Sequence, residues 1–590
     1  MTMIALAQLL IFTGLLLLLA WPLGLYMARV FSGERVLLTP LLKPVEQAAY
    51  RLMGIDPDQP QGWKSWSASL LVMSLVAIGF LFLLQMLQGW LPANPENLPP
   101  PAVHSAINVA VSFITNTNWQ NYSGEVTYSY LTQMMGLGVL NFLSAALGIV
   151  VLIALIRAIT AHGTGHLGNF WVDLVRCHLY VLLPLATLLA LVLISQGVVQ
   201  TFSPYTKVDT VIAHAPADLQ TGHLETLPTQ QTIPLGPAAS QIAIKQLGTN
   251  GGGFFGTNSA HPLENPTALT NLLQTLAILL IPAALTFTFG RMSRNPGQGW
   301  LFLGVMLTFW FTAVAIVTAT EQMGSPRLEV LGVDQIASSE QPGGNMEGKE
   351  ARLGIGQSSL WAVSATVTSN GSVNSMHASY LPISTAVIMS GMQIGGPVFG
   401  AVGGGLQNLL LFTLLAVFLA SLMVGRTPSF MGKPFGMAEI RLATLGILLP
   451  GAAVLLGITS SLLMPGLTDH MTNGGPRGFS ELLYAYSSAG FTNGSAFAGL
   501  NADTPWFNLS LAMVMLIGRF APMLAALAIA GYLAQKSATV DERNSVRTTT
   551  PLFALLLILT FIVIGGLGFL PAQIAGPILE AVLLAHPEAF

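Results

Sequence analysis

Long apolar stretches alternate with short polar ones along most of the 590-residue chain. A helix needs about 20 apolar residues to cross a bilayer, and ten stretches are long enough. They lie near residues 4–27, 67–90, 130–157, 175–197, 267–290, 299–320, 378–424, 441–463, 505–533 and 551–571. The seventh is too long for one simple span. The pattern predicts an all-α polytopic membrane protein with ten transmembrane helices.

Four shorter segments of moderate hydrophobicity lie near residues 104–115, 239–249, 357–368 and 479–491. They are too short or too polar to span, so we expect each to enter and leave from one side as a pore helix. Small uncharged motifs follow them: Thr115-Asn116-Thr117-Asn118, Thr249-Asn250-Gly251-Gly252, Ser369-Asn370-Gly371-Ser372 and Thr492-Asn493-Gly494-Ser495. The chain then consists of one extra helix, four fused helix–pore helix–filter–helix repeats that resemble a potassium channel, and one extra helix.

When the four motifs are superimposed, one slot holds Asn116, Gly251, Gly371 and Gly494. Non-helical backbone at membrane depth is tolerated where protein buries it or a watery cavity solvates it. Rings of backbone carbonyls replace the hydration shell of potassium in channel filters, and glycine permits the positive φ angles that such loops use. Thr and Asn side chains can brace a loop by bonding backbone groups. The motifs are therefore candidate potassium-binding filters; the alternative is four turns between helix hairpins.

The repeat boundaries are placed in the polar connections. The extra helices with their loops cover 1–60 and 546–590, and the repeats cover 61–165, 166–293, 294–430 and 431–545. If the filters face outward, fifteen Lys and Arg residues lie in inner loops and six lie outside, with Arg519 inside a helix. Cytoplasmic loops carry the excess of Lys and Arg, so the filters are predicted to face the external side.

Two departures from the repeat are candidate functional features. Gln120 follows the first motif and either places an amide oxygen at the filter mouth or bonds the loop. The seventh stretch is interrupted by glycines that include Gly395, Gly396 and Gly400. Each interior glycine costs a helix about 1 kcal/mol relative to alanine, so we expect a break below the third filter. The break forms either a gate or tunnel lining, or a face packed closely against a neighbouring helix.

Two arginines are further candidates for the gate or tunnel. Arg519 interrupts the otherwise apolar ninth stretch. A central intramembrane Arg costs at least about 2.5 kcal/mol on insertion scales, so it usually has a partner or a pathway role. It either forms an electrostatic barrier on the pore wall or lies near the inner end and reaches the interface. Arg426 is the second candidate, with the inner interface as its alternative position.

Composition excludes several classes of function. Only 8% of residues are charged and 52% are hydrophobic, which excludes a soluble protein and indicates one embedded in the lipid bilayer. A net charge of −3 argues against nucleic-acid binding. The single cysteine, Cys177, excludes an intrachain disulfide and a cysteine-cluster metal site. The sequence contains neither a GxxxxGK[ST] phosphate loop nor an Asp-Lys-Thr-Gly stretch. We therefore expect no nucleotide and no catalytic residue on this chain.

Longer runs resemble one known family over essentially the whole chain. They are Phe113–Gln120, Gln246–Phe255, Asn345–Glu350, Gly425–Pro428 and Asn493–Gly499. These runs resemble those of the KdpA family, the potassium-binding subunits of bacterial Kdp ATP-driven potassium pumps. The wider superfamily of potassium transporters resembles four fused channel-like units.

The resemblance implies a division of labour. The subunit would select external potassium, its only metal, and pass it through an intramembrane tunnel to a P-type ATPase subunit that hydrolyses ATP. A single-span third subunit and a small membrane peptide would complete the complex in the bacterial inner membrane. The family is expected to carry an acidic residue after Met-Gln-Ile-Gly, where Gly396 stands here. Two alternatives stay open: a self-sufficient potassium channel or ion-coupled uptake protein of this fold, and a non-transporting membrane scaffold.

Overall fold

The computed structural model describes residues 3–161, 163–210, 230–339, 341–394, 396–540 and 545–585. Within these residues, ten helices are long and apolar enough to cross a membrane, which confirms the predicted number. They are Ala5–Phe31, Trp63–Trp90, Thr132–Thr160, Phe170–Ser195, Ala268–Met292, Pro296–Val330, Gly404–Met423, Met437–Leu462, Pro505–Ala534 and Pro551–Ala585. The tenth continues beyond its predicted end, through a kink at Gly576.

The first half of the described chain is helical, with one short hairpin formed by residues 206–209 and 230–233. Its helices are α1 (Met3–Phe31), α2 (Thr39–Met53), α3 (Trp63–Leu87), α4 (Val103–Ile114), α5 (Gly124–Thr127), α6 (Val139–Thr160), α7 (Phe170–Arg176), α8 (Leu183–Ser195), α9 (Ala238–Leu247) and α10 (Ala268–Met292). The hairpin pairs β1 (Thr206–Asp209) with β2 (Gln230–Ile233) antiparallel, Thr206 opposite Ile233.

The second half contains two further copies of the unit of span, short helix, loop and span, and adds the last span. Its helices are α11 (Pro296–Gln322), α12 (Pro326–Val330), α13 (Gly354–Val367), α14 (Pro382–Gln393), α15 (Gly404–Met423), α16 (Met437–Leu462), α17 (Gly475–Gly490), α18 (Pro505–Ala534), α19 (Pro551–Phe561), α20 (Leu567–Gln573) and α21 (Leu579–Ala585). A second antiparallel hairpin joins β3 (Ser429–Phe430) to β4 (Lys433–Pro434).

Burial separates central spans from peripheral ones. The most apolar windows of the α6 and α10 spans are 89% and 83% buried, against 22% and 28% for the α1 and α3 spans. The four short helices α4, α9, α13 and α17 precede the four motifs, close to the predicted bounds. Side-chain caps fix some helix starts; for example, Thr267 Oγ1 accepts the Thr270 N–H at 3.1 Å at the start of α10.

The seventh stretch is broken, as predicted. Helix α14 ends at Gln393 and α15 begins at Gly404, and Gly403 between them has a φ of 83°. A Cβ on Gly403 would overlap the backbone of Gly148 in α6, and a Cβ on Gly148 would overlap the carbonyl oxygen of Val402. The glycines therefore allow both the break and close packing on α6. Gly395 lies outside the described residues.

Candidate functional site

The loops after the four short helices begin with the same backbone turn. The first residue of each turn has a positive φ angle: Asn116 65°, Thr249 50°, Ser369 53° and Thr492 54°. The N–H of the next residue donates to the carbonyl five residues earlier, at 2.7 to 3.0 Å: Thr117 to Ser112, Asn250 to Lys245, Asn370 to Ala365 and Asn493 to Ser488. The sequence repeat is therefore also a repeat in hydrogen bonding.

This geometry corrects the register of the first motif. Gly251 and Gly494 come two residues after the positive-φ residue, and they have φ angles of 100° and 98°. Asn118, with a φ of 55°, holds that place in the first loop. The prediction that Asn116 shares the glycine slot is wrong by two residues. Because Asn adopts left-handed backbone more readily than most non-glycine residues, Asn116-Thr117-Asn118 stands where the other copies have Thr-Asn-Gly or Ser-Asn-Gly.

Hydrogen bonds join the loops in chain order. The bonds are Asn116 Nδ2 to Thr249 O at 3.0 Å, Gly371 N to Asn250 O at 3.0 Å, and Asn493 Nδ2 to Asn370 O at 3.2 Å. The fourth loop approaches the first closely, since a Cβ on Gly494 would overlap the carbonyl oxygen of Thr117. The loops therefore surround one centre.

The carbonyl oxygens in the glycine slot are not equivalent. Between described residues, no hydrogen bond reaches those of Asn118, Gly371 and Gly494. The carbonyl oxygen of Gly251 accepts the Asn258 side-chain amide at 2.9 Å. Three carbonyls thus keep both lone pairs for a cation, and the fourth shares its lone pairs with an amide. Sequence analysis missed Asn258, which lies seven residues beyond the glycine it contacts and belongs to no repeated motif.

Gln120 braces the second loop. Its Oε1 accepts the Gly253 N–H at 2.8 Å, and its Nε2 donates to the Gly253 carbonyl at 3.0 Å. A primary amide that makes both bonds to one residue holds that peptide like a strand partner. Of the two roles considered for Gln120, an amide oxygen at the filter mouth or a bond to the loop, the structure shows the bond to the loop.

A buried ion pair, also missed from the sequence, stands behind the second loop. Lys245 Nζ lies 2.6 Å from Glu264 Oε2 and 3.0 Å from Asn258 Oδ1. The other Glu264 oxygen accepts the N–H groups of Phe254 and Phe255 at 2.6 and 3.0 Å. Both charged side chains are fully buried. Lys245 lies inside α9, within the segment 239–249 that was predicted to be a pore helix. A lysine within a pore-helix segment was the available signal.

A second polar network supports the fourth loop. Tyr484 OH lies 2.7 Å from Ser495 Oγ and 2.7 Å from His377 Nδ1. Burial, together with the positive charge of Lys349, lowers the pKa of His377 to about 3. Lys349 is itself paired with Glu321 at 2.8 Å. The network therefore remains uncharged at His377 over the physiological pH range.

Arg519 lies beside a cavity below the third and fourth loops. The side chain is 5% exposed, and its Nη2 donates to the Ser144 carbonyl at 2.9 Å. The cavity is lined by residues of two loops, the break and neighbouring helices, among them Ser369, Gly396, Gly404, Gln407, Thr492 and Arg519. No carboxylate of the described residues forms an ion pair with Arg519. Arg519 was expected either on the pore wall or near the inner end of its helix. In the structure it lies near the middle of α18 and lines the cavity.

The structure does not bring every predicted residue to this cavity. Arg426 is exposed beyond the end of α15 and donates to the Ser545 carbonyl at 2.8 Å. Gly396 lines the cavity, with a φ of 68°. Gly400, with a φ of 27°, lies in the same break between α14 and α15.

The family model and two relatives of this chain agree on one family. Residues 10–582 match the family described as KdpA, potassium-transporting ATPase A subunit. The potassium-transporting ATPase potassium-binding subunit of Sorangium cellulosum is 51% identical over 97% of both chains. The protein of the same description from Herpetosiphon aurantiacus is 50% identical over 98% of both chains. Among solved structures, the potassium transporter TrkH from Vibrio parahaemolyticus is 14% identical, with a TM-score of 0.47, covering 76% of this chain and 83% of that one.

Proposed function

This chain belongs to the KdpA family of potassium-transporting ATPase A subunits, and from that premise we propose that it is the potassium-selecting and potassium-translocating subunit of an ATP-driven importer. One observation carries the proposal. Four uncharged loops with a common backbone turn are joined in chain order around one centre. Such an arrangement suits a monovalent cation that exchanges its water shell for carbonyl dipoles.

In this proposal, potassium binds at the glycine slot. The carbonyls of Asn118, Gly371 and Gly494 face it with no competing hydrogen bond between described residues, and Gly251 completes the ring. Side chains hold the loops from behind, so the ring keeps its diameter when the ion leaves. The residues of the site are Thr115, Asn116, Thr117, Asn118, Thr249, Asn250, Gly251, Gly252, Ser369, Asn370, Gly371, Ser372, Thr492, Asn493, Gly494 and Ser495, and Gln120 braces the second loop.

The ion then enters the cavity beside Arg519. A fixed guanidinium charge repels potassium from a straight inner exit, and the break between α14 and α15 forms part of the cavity wall. The ion leaves sideways through a tunnel to a P-type ATPase subunit, where ATP is hydrolysed. A single-span subunit and a small membrane peptide complete the complex. The protein lies in the bacterial inner membrane with its filters facing outward, as the Lys and Arg distribution supports.

Transport assays on two preparations test this function. Vesicles containing the chain alone and vesicles containing the chain with its co-purifying partners are compared for rubidium or potassium uptake and for ATPase activity. The proposal predicts potassium-stimulated ATPase activity and uptake only with the partners. Selective uptake by the chain alone, without ATP, would instead support a channel or an ion-coupled uptake protein. Absence of potassium binding in both preparations would support a scaffold.

A further inference from the structure

Helix α2 connects two membrane-spanning helices without spanning the membrane itself. Helix α1 ends at Phe31 and α3 begins at Trp63. Turn bonds from Glu34 N to Arg29 O at 2.9 Å and from Thr39 N to Val36 O at 3.0 Å keep the first connection compact. Helix α2 is therefore held at the level where α1 leaves the membrane, on the inner side in the proposed orientation.

One face of α2 is docked on the protein through a buried carboxylate. Glu46 accepts hydrogen bonds from Tyr50 OH at 2.7 Å, Arg176 Nε at 2.9 Å and Tyr180 OH at 2.8 Å. Arg176 and Tyr180 belong to the start of the fourth span. These bonds fix the rotation of α2 about its axis, so its remaining faces point in defined directions.

A second face is apolar and uncovered. Leu41, Val45 and Leu52 are 72%, 50% and 89% exposed. Their spacing of four and seven residues places them in one stripe, and Ala48 between them is also exposed. Leu37, just before the helix, is 90% exposed. An apolar stripe beside the end of a transmembrane helix lies at the depth where lipid headgroups meet the acyl chains.

A third face is polar and basic. Lys43, Gln47 and Arg51 are exposed at intervals of four residues, next to the apolar stripe. From residue 29 to residue 53, exposed basic side chains at Arg29, Arg35, Lys43 and Arg51 stand against a single exposed acid, Glu34. A crevice between α2 and the end of α1 is lined by Arg35, Lys43 and Arg176 and by three acids, Glu34, Glu46 and Asp58. Glu46 is paired with Arg176.

We propose that α2 is an interfacial anchor that binds anionic phospholipid of the inner leaflet. The apolar stripe inserts at the acyl-chain boundary, and Arg35 and Lys43 bind the headgroup phosphate at the crevice. Basic residues near a membrane surface attract anionic lipid, and an amphipathic helix adds affinity through its buried apolar area. The charge and the stripe both point to lipid rather than to a protein partner.

Site-directed quenching tests the placement of the stripe. Because Cys177, the only cysteine, is buried, fluorophores can be attached at Leu52→Cys and, as a matched control on the polar face, at Gln47→Cys. The intact complex is placed in vesicles with nitroxide-labelled phospholipid or with aqueous iodide. We expect lipid quenching at residue 52 and iodide quenching at residue 47. Equal iodide quenching at both sites, or protection of residue 52 from both quenchers, would overturn the proposal.

Lipid retention tests the headgroup site. The complex is equilibrated with equal phosphatidylglycerol and phosphatidylcholine, and the lipid remaining on the protein is measured by mass spectrometry. We expect wild type to enrich phosphatidylglycerol, and Arg35→Gln/Lys43→Gln to lower that enrichment at least about threefold. Arg441→Gln, an exposed cation on α16, serves as control. Excess inorganic phosphate should not compete, since the site requires the lipid's apolar part. Equal enrichment in the double variant and wild type would contradict the proposal.

Discussion

Thr249 Oγ1 accepts the Val402 N–H at 2.7 Å and thereby joins the second of the four loops to the break between α14 and α15. Both residues are fully buried. Thr249 is also the positive-φ residue of its loop. Its side chain bonds Val402, and its carbonyl oxygen accepts the Asn116 side-chain amide. A displacement of the broken segment would therefore act directly on the second loop through this hydrogen bond.

Thr249→Val keeps the shape of the side chain and removes the acceptor. The Val402 N–H is then left buried and unpaired, which costs about 1–3 kcal/mol. We expect faster hydrogen exchange in residues 396–404 and weaker potassium binding. Thr413→Val is the matched control, because the buried Thr413 hydroxyl bonds only within α15, to Leu409 O. Identical exchange in the Thr249 and Thr413 variants would show that the contact does not restrain the break.

The corrected register makes a prediction about the first loop. Asn118 holds a left-handed backbone conformation, so Asn118→Val places a β-branched residue where it is strained by at least about 1–2 kcal/mol. Asn118→Gly avoids that strain and loses only the side-chain bond to Asn141. We expect potassium to raise the melting temperature of Asn118→Gly more than that of Asn118→Val. An equal response of the two variants would contradict the assignment of Asn118 to the glycine slot.

Removing one member of the Lys245–Glu264 ion pair should lower the stability of the protein more than replacing both members with uncharged residues. Glu264→Gln or Lys245→Met leaves one charge buried without its partner, a loss of about 3–5 kcal/mol. The double variant Lys245→Met/Glu264→Gln leaves no charge behind. A double-mutant cycle on thermal stability in detergent measures the coupling. We expect the double variant to lose clearly less stability than the sum of the single variants. Additive losses would mean that the two charges do not interact.

The buried histidine behind the fourth loop predicts a pH effect on stability. The pKa of His377 is lowered to about 3 in the folded protein, against about 6.5 for an unperturbed histidine. Between these values the unfolded chain binds more protons, so the folded state loses stability as the pH falls. His377→Phe removes this proton-linked loss. From about pH 7 to pH 4, its melting temperature should fall less than that of wild type.

Tyr484→Phe provides the control for that experiment. It breaks the hydrogen bond between residues 484 and 377 but keeps the histidine. The pH dependence of its melting temperature should therefore run parallel to that of wild type. Parallel profiles for His377→Phe and wild type would show that the histidine titrates normally in the folded protein.

The guanidinium beside the cavity predicts a leak when its charge is removed. Arg519→Gln keeps a polar side chain near Ser144 but lowers the barrier to a cation. We expect ATP-independent rubidium uptake by vesicles containing the complex, which wild type should not show. Arg426→Gln is the matched control, since Arg426 is exposed and lies outside the cavity lining. No leak in Arg519→Gln, or an equal leak in both variants, would contradict the barrier.

The spans and the short helices were predictable because they follow from local hydropathy and from the thickness of a bilayer. The break in the seventh stretch was predictable for a similarly local reason, its glycine content. The register of the first loop was not, because Asn116 and Asn118 both have positive φ angles and only the hydrogen bonds show which one matches Gly251. Contacts such as Thr249–Val402 join residues far apart in the chain and leave no periodic signal.

The most direct measurement of the central claim is potassium and sodium binding to the purified complex carrying Gly494→Ala. Gly494 has a φ of 98°, and a Cβ there would overlap the Thr117 carbonyl oxygen. Gly14→Ala is the control, since a Cβ on Gly14 in α1 has no neighbour within 4 Å. We expect Gly14→Ala to bind potassium selectively like wild type, and Gly494→Ala to lose about tenfold or more in potassium affinity. Unchanged affinity and unchanged preference over sodium in Gly494→Ala would contradict the assignment of the four loops as the filter.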